Sequence, residues 1–226
     1  MKNYSSFDIL GPIMIGPSSS HTAGAARLAK IASIIAGEGT QRADFYLHGS
    51  FAKTYKGHGT DKALVAGILG MEPWDENLRN SFEIAQNKEL EFYFHEDDLG
   101  DVHPNTVKFE IRKSNGTKVE ITGSSVGGGN IKIISVDGLN VEFTGDYPTI
   151  IIKHIDNPGV IAIVTTVLFQ AKINIAFLKV YRTGKGSKAT MIIETDSNVS
   201  TDLIQKIKDV ESIKSVKYIN PVEEGE

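Results

Sequence analysis

Three short stretches carry residue types suited to proton transfer and anion binding. GPSSSHTAG, from Gly16 to Gly24, sets Ser18, Ser19 and Ser20 ahead of His21 and Thr22. KGHGTDKA, from Lys56 to Ala63, sets His58 between two glycines, with Thr60 and Asp61 following. SSVGGGN, from Ser124 to Asn130, contains Gly127, Gly128 and Gly129 in a row. An imidazole whose ordinary pKa is about 6.5 is available as a base at neutral pH. Hydroxyls at a helix start suit a small anion such as a carboxylate, because the free N–H groups and positive end of the helix favour negative charge. Two histidines in glycine- and hydroxyl-rich helix starts, with a triple-glycine loop, point to three loops converging on one site.

Other chemistries fit these residues less well. A serine hydrolase needs its serine on a strained strand-to-helix elbow, with glycines two before and two after, and no serine of GPSSSHTAG has that flanking. Adjacent Ser20 and His21 cannot readily pair side chain to side chain, and little else completes a triad. The loop lacks a Walker pattern with its lysine and no GxGxxG occurs, which argues against a nucleotide. In isolation, a serine-rich turn is explained by one residue capping a helix while the others are solvated.

The elements that must position these residues can be read from periodicity. After Thr22, Ala25, Leu28, Ala29, Ala32, Ile35 and Ala36 follow helical spacing until Gly37 and Gly39 end it. RADFYLHGSF reads as a strand leading into a helix that closes at KGHGTD, and Thr60 and Asp61 can cap the helix DKALVAGILG. From Glu89 the pattern turns to strands, with hairpin turns at Asn115-Gly116 and Asp137-Gly138, and SSVGGGN is comfortable as neither strand nor helix.

Gly145 to Pro148 marks a boundary, dividing the chain into domains at 1–146 and 147–226. Beyond it TIIIKHI, PGVIAIVTTVLFQA, INIAFLKVYRTG, SKATMIIETD, STDLIQKIKDV and IKSVKYI read as βαββαβ, with Pro158 near the first turn of the first helix. That order predicts a ferredoxin-like layer of helices on one face of an antiparallel sheet. With the strands and helices before it, the whole chain is α+β.

The second unit resembles the ACT domain, a small-molecule-binding regulatory module, through His154-Ile155-Asp156-Asn157-Pro158-Gly159-Val160 at a strand-to-helix turn. Free N–H groups there suit a carboxylate, Gly159 permits close approach, and Asp156 or Asn157 could take an ammonium group, so an amino acid would fit. Asp156 and Asn157 would equally be explained as helix caps. The resemblance implies dimerisation through sheet edges or helices.

Composition narrows the rest. The 226 residues, 40% of them apolar, suffice for two modest domains. The net charge of −4 has no basic block, so no nucleic acid or anionic membrane is expected as partner. No apolar run approaches the ~18 residues needed to span a bilayer, and no signal-peptide pattern opens the chain, so a cytoplasmic protein is expected. The absence of cysteine excludes thiolate ligation of an iron-sulfur cluster or structural zinc by this chain.

Taken together, Asp8 through Ala29 with GPSSSHTAG, GHGTD at Gly57 to Asp61 and GGG at Gly127 to Gly129 resemble the β subunit of the iron-sulfur-dependent L-serine dehydratases. That subunit joins an allosteric-substrate-binding-like α/β domain to an ACT domain, and the resemblance spans the chain. It implies loss of the α-proton and β-hydroxyl of L-serine, giving aminoacrylate and then pyruvate and ammonia. It also implies a 4Fe-4S cluster as Lewis acid, ligated by a cysteine-containing α subunit because this chain has no cysteine. Carried over, Ser18, Ser20, His21 and Thr22, with His58 and Asp61, face the cluster-bearing domain. His58 is the first choice for the base and His21 the alternative. The serines and Thr22, with Thr60, serve substrate binding, and Gly127, Gly128 and Gly129 allow close backbone packing against substrate or partner. A pyridoxal-phosphate dehydratase, suggested by Ser50-Phe51-Ala52-Lys53, would need a larger two-domain fold than remains once the ACT-like unit is set aside. A regulatory role is the other alternative, since a similar domain occurs beside ACT domains in some D-3-phosphoglycerate dehydrogenases; that role has no evident use for His58 between glycines.

Overall fold

The computed structural model describes residues 14–220. The beginning of the Asp8 to Ala29 stretch therefore lies outside the described residues. Two compact units part between Gly138 and Leu139, at the Asp137-Gly138 hairpin turn. The expected boundary at Gly145 to Pro148 falls just past the last strand of the first sheet.

In the first unit a π-helical turn, Ser19–Ala23, runs into α1, Gly24–Ala36. Strand β1, Thr40–Leu47, leads to α2, Gly49–Thr54, and α3, Thr60–Ile68. A 3-10 turn, Glu76–Asn80, and α4, Ser81–Asn87, return the chain to β2, Glu91–Glu96, which pairs parallel to β1. Then β3, Thr106–Lys113, β4, Lys118–Gly127, and β5, Asn130–Val136, follow, and with β6, Leu139–Phe143, the first strand past the division, the sheet has the order β2-β1-β3-β4-β5-β6. The alternating apolar face of β1, namely Ala43, Phe45 and Leu47, is fully buried, as are Phe109 and Ile111 of β3 and Ile121 of β4. Helix α1 covers this face so closely that a Cβ at Gly123 of β4 would lie 2.6 Å from Leu28 Cδ1. Helix α3 crosses α1 at Gly67, where an added Cβ would meet the Ala26 carbonyl oxygen at 2.2 Å. These near-contacts fix where both helices begin, and the turns that lead into them carry the histidines.

The second unit contains β7, Thr149–Ile155; α5, Val160–Gln170; β8, Ile175–Arg182; β9, Lys188–Thr195; α6, Thr201–Lys208; and β10, Ile213–Ile219. The antiparallel sheet order is β10-β7-β9-β8. This is the expected ferredoxin-like arrangement. Ile150, Ile152, Met191 and Ile193 of the sheet form one core with Val160, Val164 and Leu168 of α5 and Leu203 and Ile207 of α6.

Local expectations at three turns need correction. Thr60 and Asp61 do not cap α3: Gly59, with φ +69°, occupies the cap, and Thr60 is buried in the first turn. Pro158 lies near the first turn of α5 as expected, just before the cap, but the cap is Gly159 at φ +91°, not Asp156 or Asn157. Gly127 ends a strand, and Gly128 and Gly129, at φ +62° and +81°, form the two-residue turn of the β4-β5 hairpin. Positive φ at both central positions is what a type I′ turn demands, and its twist matches that of the strands.

Candidate active site

The π turn at Ser19–Ala23 is built by Ser18. Its side-chain oxygen accepts from the His21 backbone N–H at 3.1 Å, and its carbonyl accepts from Thr22 N at 2.8 Å. Gly16 is required beside it: at φ +136°, a Cβ there would lie 2.5 Å from the Thr22 methyl. This local winding turns the His21 ring toward α2. Nε2 of His21 lies 3.2 Å from Ser50 Oγ, while Nδ1 is 3.5 Å from Ser18 Oγ, at the outer limit of a hydrogen bond. The Phe51 ring meets the imidazole edge-on, with centroids 5.2 Å apart.

His58 sits on the turn between α2 and α3. Its N–H donates to Thr54 O at 3.1 Å, and its carbonyl accepts from Thr22 Oγ1 at 3.2 Å. The two imidazoles are tilted at 43° with centroids 5.0 Å apart. His58 is exposed, whereas His21 is half-buried. Burial, and then the charge of His58, lower the His21 pKa and keep that ring neutral at neutral pH. At Asp61 burial raises the carboxyl pKa, opposed by the hydrogen bond from Lys62 N at 2.8 Å.

Thus His21 and His58, 37 positions apart in the chain, share one site, with Ser18, Ser19 and Ser20 on the turn of the first and Asp61 on the helix after the second. Two of the anticipated substrate hydroxyls are placed otherwise. Thr22 is 1% exposed and ties the two histidine turns together through the His58 carbonyl. Thr60 is fully buried, and its hydroxyl has no hydrogen-bond partner. A Cβ at Gly127 would meet nothing within 4 Å, so within this chain its φ of +105°, not close packing, calls for glycine. The residue of SSVGGGN that reaches the π turn is Ser125, buried and without a hydrogen-bond partner, whose hydroxyl would lie 2.0 Å from a Cβ at Gly24. Neither Ser50, on α2, nor Ser125, on β4, was singled out as a site residue by the sequence, because their meeting with the π-turn region depends on tertiary packing.

The loop of the second unit is closed on itself. His154 is 2% exposed, and its Nδ1–H donates to Ile155 O at 2.8 Å, leaving the buried Nε2 lone pair without a partner. Asp156 Oδ2 accepts from Arg182 Nη1 at 3.2 Å and from Gly186 N at 3.4 Å. Asn157 Nδ2 donates to Ser212 Oγ at 3.2 Å, and Val160 is buried. Asp156 and Asn157 therefore pin the loop to β8 and to the segment before β10.

Fold and site define a two-unit chain, a sheet-and-helix unit with a paired-histidine site followed by an ACT unit. Residues 149–212 match the ACT domain family, and residues 5–79 match the family described as serine dehydratase beta chain. The L-serine dehydratase beta chain of Peptoniphilus asaccharolyticus is 42% identical over 220 residues, 97% of this chain and 99% of that protein. The probable L-serine dehydratase beta chain of Bacillus subtilis (strain 168) is 41% identical over 219 residues, again 97% and 99%. A D-3-phosphoglycerate dehydrogenase of Methanocaldococcus jannaschii is 34% identical over 160 residues, 70% of this chain but 28% of that enzyme. The chain belongs to the L-serine dehydratase beta chain family. No helix among the described residues is long and apolar enough to cross a membrane.

Proposed function

We propose that this chain is the β subunit of an iron-sulfur-dependent L-serine dehydratase, converting L-serine to pyruvate and ammonia together with a cluster-bearing α subunit. The observation that carries the reading is the pairing of His21 with His58 at 5.0 Å beside the hydroxyls of the Ser18 turn. Removing a weakly acidic α-proton needs a base that is neutral at working pH and free to meet substrate. His58 meets the second condition through its exposure. His21, held neutral beside it, lets one proton reside on the pair without a second positive charge. Ser18, Ser19 and Ser20, ahead of the N–H groups of α1, suit the substrate carboxylate.

The residues of this chain do not fit a 4Fe-4S cluster. The sequence has no cysteine, and among the described residues no group of three or more His, Asp or Glu side chains is placed to hold a metal. The cluster belongs, in this reading, to the α subunit, as the relatives' designation as beta chains supports. In the second unit the unpartnered His154 Nε2 near the start of α5 supports a small-molecule role for the loop. Exposed Phe169 on α5, with exposed Phe177 on the edge strand β8, supports pairing with a second copy.

Co-expression with a cysteine-containing α subunit should give a brown, oxygen-sensitive complex that releases pyruvate and ammonia from L-serine. Turnover by the isolated chain without metal would overturn the proposal. The similarity to a D-3-phosphoglycerate dehydrogenase supports a second reading, a regulatory effector-binding module. That reading predicts serine binding unaffected by His58→Ala, and no turnover in any assembly.

A further inference from the structure

One contact of the paired-histidine site reaches beyond the three histidine- and glycine-bearing stretches, the hydrogen bond between His21 Nε2 and Ser50 Oγ at 3.2 Å. The backbone of Ser50 is fixed on three sides. Its N–H donates to Pro104 O at 2.8 Å, and its carbonyl accepts from Thr54 Oγ1 at 2.8 Å. Gly49 before it has φ +56°, and an added Cβ would meet the Pro104 backbone at 2.8 Å. The segment leading into β3 thus sets where the hydroxyl points. Phe51, next in the chain, closes on the same imidazole edge-on.

We propose that Ser50 is a positioning residue for the dehydration: its hydroxyl holds the His21 ring by Nε2, setting that ring's orientation beside His58. The inference rests on the dehydratase reading given above. A serine hydroxyl both donates and accepts, so it satisfies Nε2 whether or not that atom carries the proton. Ser18 Oγ does the same at Nδ1 over its longer 3.5 Å. The ring can therefore change tautomer without leaving a half-buried nitrogen unpaired, which an adjacent carboxylate would not allow. Without the Ser50 hydroxyl, Nε2 loses its partner and the ring is free to turn away from His58.

Two measurements on Ser50→Ala and Ser50→Thr test this. The first reads the imidazole 15N shifts and titration of His21 in the full isolated chain, assigned with His21→Gln. The Ser50→Ala substitution should alter the 15N shifts and titration midpoint of His21, and Ser50→Thr should restore them. The second reads kinetics in the assembled complex. Losing one such hydrogen bond should lower kcat by about 10-fold, with KM changed less than about twofold because no substrate contact is removed; Ser50→Thr should recover most of the rate. Unchanged His21 shifts and titration in Ser50→Ala, or an unchanged kcat, would overturn the inference. If the shifts move as expected but the wild-type complex never turns over serine, the Ser50–His21 contact stands and the dehydratase reading is what fails.

Discussion

Each unit places a histidine near a helix start beside small and polar residues, yet the two regions are built for different ends. Around His21 and His58, side chains arrive from three separate segments, the Ser18 turn, α2 and the turn before α3, and the ring that completes the pair, His58, stays exposed. Around His154, the loop's polar side chains are tied to other parts of the same unit, Asp156 to Arg182 and Gly186 and Asn157 to Ser212. Similar residue types in the sequence therefore yield a histidine pair with one exposed ring in one unit and a latched loop beside a buried histidine in the other. What separates them is whether packing closes over the imidazole or leaves it open to solvent.

The comparison breaks most visibly at His58. In the assembled complex His58→Ala should reduce turnover by roughly 10²- to 10⁴-fold, the usual range for a proton-transfer group. Stability should change by less than about 0.5 kcal/mol because the side chain is exposed; pyruvate release and a thermal melt check both. A near-normal rate would move the base to His21 or to the partner subunit.

Glycines sharpen the contrast next. Gly49→Ala combines left-handed strain with a clash against Pro104, for a loss of about 2–4 kcal/mol. Gly159→Ala at the start of α5 meets nothing within 4 Å, so it should cost only the strain, about 1–2 kcal/mol. Denaturant unfolding of the two variants measures the difference.

A smaller effect follows from the neutral His21. Its folded-state pKa lies below the ordinary 6.5, so as pH falls the unfolded chain binds this proton first. The corresponding stability is present above pH 6.5 and is lost as the pH falls from there through the lowered folded value. Melting temperature measured from pH 8 downward should show that loss, and His21→Gln should flatten it. The smallest change is expected from Asp156→Ala, which removes a partly exposed ion pair worth about 0–1 kcal/mol. It should leave basal serine turnover intact while altering any amino-acid response.

The long and strongly periodic elements were legible in advance. The apolar spacing from Ala25 to Ala36 is a helix, the Asn115-Gly116 and Asp137-Gly138 hairpins stand, and the βαββαβ order holds. Helix α4, only seven residues long, offers too short a pattern to announce itself. The cap assignments at Thr60 and at Asp156 missed because a glycine in the left-handed region can end the preceding turn and start a helix without a side-chain acceptor. In each case the glycine was adjacent in the sequence, but its φ depends on where the following helix must pack.

Residue types and short-range spacing were enough to nominate His21, His58 and the serine turn, because helix starts and hydroxyl clusters are local features set by neighbours in the chain. They were also enough to show that this chain has no thiolate to offer a metal cluster, since it contains no cysteine. Local spacing could not show that Thr22 faces inward to hold the His58 turn, that Ser125 rather than the triple glycine meets the π turn, or that Ser50 holds His21. Those outcomes depend on how α1 settles on the sheet, how α3 settles on α1, and on Pro104 meeting Gly49, contacts between residues dozens of positions apart. Side-chain direction at such places is a property of packing, and packing is decided only when the layers close.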